Sequence, residues 1–256
     1  MGDLEVDLQG SVLRVVLNRP RVLNALTAPM VDDLTATLEG LSSRDDVRTV
    51  LISGAGGAFS TGADLSGTDA HESLDVSALD RANRLVRAVV RCDQPVVAAV
   101  DGVAAGVGCS LALACDLVVA AESASFLLAF ARVGLMPDGG ATATVTAAVG
   151  RPRAMRMALL AEPLSGPEAY AAGLVSHLCE DAAFAETVDA LVRRLAAGAP
   201  LAQAATKRAV NAAALHHLEA ALESERRGQS LLLRTDDAAE GMAAFSERRP
   251  PRFSGE

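Results

Sequence analysis

Tryptophan is missing from the 256-residue chain, tyrosine occurs once, and aromatic residues make up 3% of it. That poverty argues against base-stacking platforms and aromatic sugar-binding clefts. Basic residues are also in deficit: 23 Lys and Arg face 32 Asp and Glu, a formal net charge of −9. A nucleic-acid groove or an anionic membrane surface needs clustered positive charge, so neither partner is expected. The most apolar stretch, Val96–Val100, is far too short to span a bilayer. The four cysteines, Cys92, Cys109, Cys115 and Cys179, include no C-x-x-C pair and sit in apolar stretches. They read as reduced, buried thiols of a cytoplasmic protein. The N-terminus brings acids early and no basic or long apolar region, unlike a secretory leader.

What the chain does have is apolar mass. Half of it is hydrophobic, dominated by Ala, Val and Leu, and its length gives a core that needs no metal or disulfide. Leu4–Leu8 and Val12–Leu17 flank Gly10 and predict a β-hairpin. Thr27 is placed to cap a helix running to about Leu41. Strands are expected at Val47–Ser53, Val96–Val100, Asp116–Ala121 and Leu174–Leu178. Helices are expected at about Val76–Cys92, before Ala114, at Ala141–Val149 and at Pro152–Leu160. Gly67 to Asp75 is polar and aperiodic, a surface segment. Ser165 and Glu168 have capping-box spacing. From Asp181 the pattern is helical, broken near Gly198–Pro200 and Arg234–Asp236, with Leu215, Leu218 and Leu222 as an apolar stripe. The fold class is therefore α/β with a largely parallel sheet, divided into a core over 1–195 and a helical region over 196–256. Periodicity alone does not separate a doubly wound sheet from a coil of ββα turns.

Two small-residue loops each follow an apolar strand: Phe59–Leu65 and Asp101–Ser110. Neither is a phosphate-binding P-loop, because no Gly-Lys-Ser/Thr follows, and Gly106-Val-Gly108 does not complete G-x-G-x-x-G. What both offer is backbone N–H groups at the start of a helix or turn, with the positive end of the peptide dipoles behind them. Two such loops, if they converge, hold an oxygen that gains negative charge. If they do not, the glycines serve only tight turns.

The order of motifs narrows this further. Asn18–Leu26, Val50–Gly54, Ala58–Leu65, Pro95–Gly102, Leu111–Asp116, Val133–Gly140 and Glu240–Pro250 resemble, in sequence and order, the enoyl-CoA hydratase/isomerase (crotonase) superfamily over nearly the whole chain. The resemblance implies a right-handed ββα superhelix with C-terminal helices that assemble homotrimers or dimers of trimers. It implies an acyl-CoA thioester as ligand and no permanently bound cofactor, coenzyme A entering as part of the substrate. It also implies that Ala63 and Val107 supply two oxyanion-hole amides. Arg21, Val22, Leu23 and Ala25 would line the pantetheine and nucleotide path, and Thr61, Asp64 and Leu65 would frame the adenine pocket. Val107 stands where the family often has glycine, which raises the question of positive φ.

The departures bear most on chemistry. Where family hydratases carry two glutamates, this chain has Ser110 and Phe130. Neither side chain is a competent base for water, so hydration by the usual pair is not expected. Asp138 matches a position where some family isomerases carry a catalytic aspartate, and one carboxylate suffices to move a double bond. Phe130 as an apolar wall would raise its pKa. The competing reading makes Asp138 a turn residue capping the next helix. The resulting expectation is isomerisation of an acyl-CoA with Asp138 as acid/base. The alternatives are a non-catalytic acyl-CoA-binding protein and a weak hydratase. Ser110 lacks a His/Asp partnership for nucleophilic catalysis and reads as a small helix residue. His71 and Glu72 line the acyl entrance or a solvated loop. His177 packs or caps, and His216-His217 has no metal-ligand spacing, so no metal is expected. Lys207, Arg208 and the Arg248-Arg249 pair either reach CoA phosphates or lie on solvated faces.

Overall fold

The computed structural model describes residues 2–65 and 75–256. His71, Glu72 and the aperiodic stretch from Gly67 up to residue 74 lie outside the described residues. β1 (Leu4–Gln9) and β2 (Val12–Leu17) form the antiparallel hairpin, with Gly10 at φ 64° in its turn. β3 (Thr49–Gly54), β4 (Val96–Val100), β6 (Leu117–Ala121) and β9 (His177–Cys179) extend it in parallel, in the order β1-β2-β3-β4-β6-β9. A second sheet contains β5 (Val103–Ala105), β7 (Ser125–Leu127) and β8 (Leu164–Ser165).

This two-sheet arrangement decides between the topologies. α1 (Ala28–Glu39), capped by Thr27, and α2 (Val76–Arg91) connect strands of the large sheet. β4 then leaves that sheet, turns at Gly102, enters the small sheet as β5 and runs into α3 (Val107–Ala114). β6, β7 and α4 (Ala141–Leu160) repeat the same ββα turn. The corner is tight: a Cβ on Gly102 would fall 2.1 Å from the Gly57 carbonyl oxygen, so only glycine fits. The chain is a ββα coil of the crotonase type, not a doubly wound sheet.

The central strands of the large sheet are buried on both faces. Along β4, Val96, Ala98 and Val100 join Leu34 and Leu38 of α1 and Leu85 and Val89 of α2 in the main core. Val97 and Ala99 face the other way, packing with Val188 and Val192 of α6 (Phe184–Ala196). This alternation, with every β4 residue buried, is the signature of a parallel strand covered on both sides. α5 (Gly166–Ala171) carries the capping box between Ser165 and Glu168. α4 is kinked at Gly150, φ 72° and ψ 164°, which reconciles one long helix with the two segments expected from sequence.

Two expectations are corrected. The strand at Leu174–Leu178 narrows to His177–Cys179, because Leu174 and Val175 bend after Gly173 and bury their side chains in the core. The late helical region has a further break at Leu215–His217, between α7 (Pro200–Ala214) and α8 (Leu218–Leu232), before α9 (Asp236–Ser246). No glycine or proline announces it. Leu215 leaves helical geometry at φ −113° and ψ 28°. Arg87 and Arg91 reach Glu219, and Arg226 reaches Asp80, holding α8 against α2.

Lys207 does not reach outward. It is buried on α7, and its Nζ lies 2.7 Å from Asp116 Oδ2 while donating to the Val89 and Gln94 carbonyls at 2.9 and 3.1 Å. Asp116 Oδ2 also accepts from the Val96 N–H at 2.7 Å. This buried pair ties α7 to the ends of β4 and β6. Arg208 pairs with Asp93, and Arg249 binds Glu240 through both guanidinium nitrogens. Lys207→Ala strands the Asp116 carboxylate and is expected to destabilise the fold by about 3 kcal/mol in urea unfolding. Unchanged stability with weakened CoA binding would instead return Lys207 to a phosphate-contacting role.

Candidate active site

The two small-residue loops meet. Ser60 bridges to Ala104, with its N–H donating to the Val103 carbonyl at 3.1 Å and its carbonyl accepting from Ala105 N–H at 2.8 Å. Leu26 bridges to Ala63 on the other side. Glycine makes the approach possible from both partners. A Cβ on Gly62 would sit 2.9 Å from the Ala105 carbonyl oxygen and 3.1 Å from Val107 N, and Gly62 has φ 94°. A Cβ on Gly108 would sit 2.7 Å from the Ser60 side chain. Asn24, fully buried, braces the crossing: its Nδ2 donates to the Ala55 and Ala58 carbonyls, and its own carbonyl accepts from the Ser60 hydroxyl at 2.8 Å.

The amides of Ala63 and Val107 donate to no other group among the described residues. Val107 is the first residue of α3, so its N–H is one of the helix's orphan donors and lies at the positive end of the helix. The positive φ falls on Gly106, at 53°, leaving Val107 in ordinary helical geometry. Valine therefore costs no backbone strain there and keeps the donor.

Ala63 and Val107 line one cavity of about 320 Å³ together with Asp138. Phe130, Leu127, Leu135 and Leu233 supply apolar wall, and α9 contributes Phe245. Of the other residues singled out by sequence, Thr61 and Leu65 line it as well. Arg21, Val22 and Leu23 are exposed beside Thr61, whose hydroxyl lies 3.4 Å from the Val22 and Leu23 carbonyls. Ala25 is buried, and Asp64 pairs with Arg19 at 2.7 Å. Among the described residues no cluster of three or more His, Cys, Asp or Glu could hold a metal ion, and no helix is long and apolar enough to cross a membrane.

Asp138 is buried and does not cap α4. The cap position is Gly140; Glu225 from α8 accepts from Gly140 N at 2.7 Å, Thr142 N at 2.9 Å and the Thr142 hydroxyl, while the Ala141 N–H turns back to the Asp138 backbone carbonyl at 3.3 Å. Asp138 Oδ2 instead accepts from Gln229 Nε2 at 2.9 Å, and its Oδ1 has no partner among the described residues. Burial pushes its pKa up to about 7; the Gln229 hydrogen bond opposes the shift, and the nearby Glu225 charge adds to it. Ser110 is buried on α3 and donates its hydroxyl to the Asp138 backbone carbonyl at 2.8 Å, a bracing contact. Glu225 and Gln229 were not singled out from sequence. Their signal was two polar residues continuing the Leu218, Leu222 stripe at helical spacing, both buried.

A cavity walled by apolar side chains, with free backbone amides and one buried acid, defines a site for handling an anionic oxygen beside a transferable proton. The family model described as enoyl-CoA hydratase/isomerase matches residues 7–256. A probable enoyl-CoA hydratase of Rhodobacter capsulatus is 43% identical over 94% of this chain and 93% of its own. The 1,2-epoxyphenylacetyl-CoA isomerase of Escherichia coli is 37% identical over 97% of each. A crystal structure of an enoyl-CoA hydratase from Mycobacterium avium subsp. paratuberculosis superposes with a TM-score of 0.93 at 47% identity, covering 99% of both chains. The chain belongs to the enoyl-CoA hydratase/isomerase family and is an enzyme of that family.

Two outcomes follow from this geometry. Gly62→Ala sets a methyl over the Val107 amide and strains a positive φ, and is expected to lower turnover at least tenfold with acyl-CoA substrates in steady-state assays. Asp138 carries a folded-state pKa above its unfolded value, so the fold holds the extra proton between the two and loses stability as pH rises through that window. Asp138→Asn is therefore expected to melt about 4 °C above wild type near pH 8, with a smaller gain near pH 5, in calorimetry.

Proposed function

We propose that this enzyme isomerises the double bond of an acyl-CoA thioester, with Asp138 as the single acid/base. The thioester carbonyl oxygen lies between the Ala63 and Val107 amides, which stabilise the enolate formed when a carbon-bound proton is removed. Asp138 takes that proton and returns it to another carbon of the same conjugated system, so no water is consumed and no redox change occurs. The observation that carries this reading is the buried carboxylate lining the cavity, one oxygen unpartnered and the pKa about 7. A base is most effective when its pKa lies near the working pH. Pantetheine and nucleotide run past Arg21, Val22, Leu23 and Ala25, with Thr61, Asp64 and Leu65 framing the adenine.

Ser110 and Phe130 support isomerisation over hydration. The serine hydroxyl is occupied by the Asp138 carbonyl and the phenylalanine ring is wall, so neither activates water. The hydratase name of the Rhodobacter relative is what favours the second reading, hydration of a 2-enoyl-CoA. We assign residues 1–195 to the spiral core and 196–256 to assembly as a homotrimer or pair of trimers. Exposed Leu201 and Val210 in the latter region support assembly. Four free thiols support a cytoplasmic setting.

The test is turnover across 3-enoyl-, dienoyl- and 2-enoyl-CoA. Wild type is expected to move double bonds, and Asp138→Asn to lose roughly 10²–10⁴-fold in kcat while still binding acyl-CoA in calorimetric titration. Hydration without isomerisation in wild type, or an Asp138→Asn variant as fast as wild type, overturns the reading. Since the base must be ionised, kcat/KM is expected to fall tenfold per pH unit below about pH 7.

A further inference from the structure

The Gln229 side chain is fixed at both ends of its amide. Its Oε1 accepts from the Met136 backbone N–H at 3.1 Å, and its Nε2 donates to the Met136 carbonyl at 3.0 Å and to Asp138 Oδ2 at 2.9 Å. The Met136 N–H can only donate and its carbonyl can only accept, so the reversed amide would set donor against donor and acceptor against acceptor. Gln229 is 1% exposed, and no solvent replaces a lost bond on rotation. Backbone chemistry thus dictates that the group facing Asp138 is an N–H donor.

A donor in that place constrains the acid. If neutral Asp138 carried its hydrogen on Oδ2, an O–H would face an N–H at hydrogen-bond distance. The hydrogen therefore belongs on Oδ1, the oxygen with no partner among the described residues. We propose that Gln229 is a positioning residue that holds Oδ2 as a permanent acceptor and makes Oδ1 the sole atom of Asp138 that takes up and gives back the migrating proton. On proton uptake a C–H bond breaks and an Oδ1–H bond forms. On return that bond breaks and a new C–H bond forms, with the electron pairs redistributed within the substrate. The kinetic part of this inference rests on the isomerase reading.

The charged groups around Asp138 set the controls. Glu225, one turn earlier on α8, accepts from the Gly140 N–H and from the N–H and hydroxyl of Thr142, while burial pushes its pKa up. Arg132 lines the same cavity and donates to the Ala161 carbonyl at 2.7 Å, and Asp75 lines it while capping α2.

Infrared difference spectroscopy tests the proposal on wild-type enzyme carrying carboxyl-¹³C aspartate, with Asp138→Asn identifying the band. Neutral Asp138 is expected to show a hydrogen-bonded C=O stretch, since Oδ2 is then the carbonyl. Gln229→Met is expected to move that band up to the position of a free carbonyl. A free-carbonyl band in wild type places the hydrogen on Oδ2 and overturns the proposal. In turnover, Gln229→Met is expected to shift the acid limb of kcat/KM up by about one pH unit and lower kcat about tenfold with KM little changed. Glu225→Gln is expected to shift the limb down. A purely structural Gln229 would lower active enzyme and leave the limb in place, which also overturns the proposal. Should wild type turn over no acyl-CoA, the isomerase reading fails, while the infrared band still decides where the proton sits.

Discussion

The structure depends on one backbone-to-backbone approach, the crossing of the 59–65 loop with the start of α3. At Gly62 and Gly108 the missing side chain is the structural feature, since a Cβ at either would lie within about 3 Å of the opposite loop. Hydrogen bonds between Ser60, Val103 and Ala105 lock the crossing, and buried Asn24 ties it to the segment that follows β3. Because the amides of Ala63 and Val107 belong to this crossing, their relative placement is as rigid as the sheets on either side. Donors held this way need no reorganisation when charge develops between them, which is where such sites gain most of their rate.

The second constraint works against stability. Asp138 and Gln229 line the cavity and Glu225 is buried on the same helix as Gln229, and burial disfavours the charge on both acids. Glu225 is compensated by the donors at the α4 start, where a carboxylate complements the helix dipole. Among the described residues, the Asp138 carboxyl has one hydrogen bond and one bare oxygen. An acid left half-satisfied is the opposite of what a stable core requires. It is what a proton carrier requires, because a fully bonded carboxylate would have no orbital free for a carbon-bound hydrogen.

Much of this was legible in the sequence, and the reasons are local. Thr27 and the Ser165–Glu168 box announce caps through short-range chemistry, and the structure has them where expected. The two loops were legible as small-residue runs after buried strands. The α7–α8 break was not, because Leu215-His216-His217 carries no glycine or proline and Leu215 belongs to an apolar stripe that continues across it. With the break unseen, α8 could not be brought onto the cavity, and so Glu225 and Gln229 escaped notice. Lys207 was misjudged for a related reason: its partner Asp116 is 91 residues away, and a lysine on a helix reads as solvated until the fold buries it.

The division of labour between backbone and side chain explains how one scaffold accommodates the different reactions named among its relatives. Amide donors survive substitution, as Val107 illustrates: the residue changes, the helix start does not, and the N–H remains. On the proposed reading, the chemistry is then decided by the few side chains in and beside the cavity. At 110 and 130 this chain has a hydroxyl turned to a backbone carbonyl and an aromatic wall, and at 138 a carboxyl steered by an amide from a helix 91 residues downstream. On the proposed isomerase reading, a site without a water-activating pair but with a single buried acid returns the abstracted proton to the substrate. The α8 helix, whose Gln229 donates to Asp138 Oδ2, would on that reading serve the reaction chemistry as well as the packing.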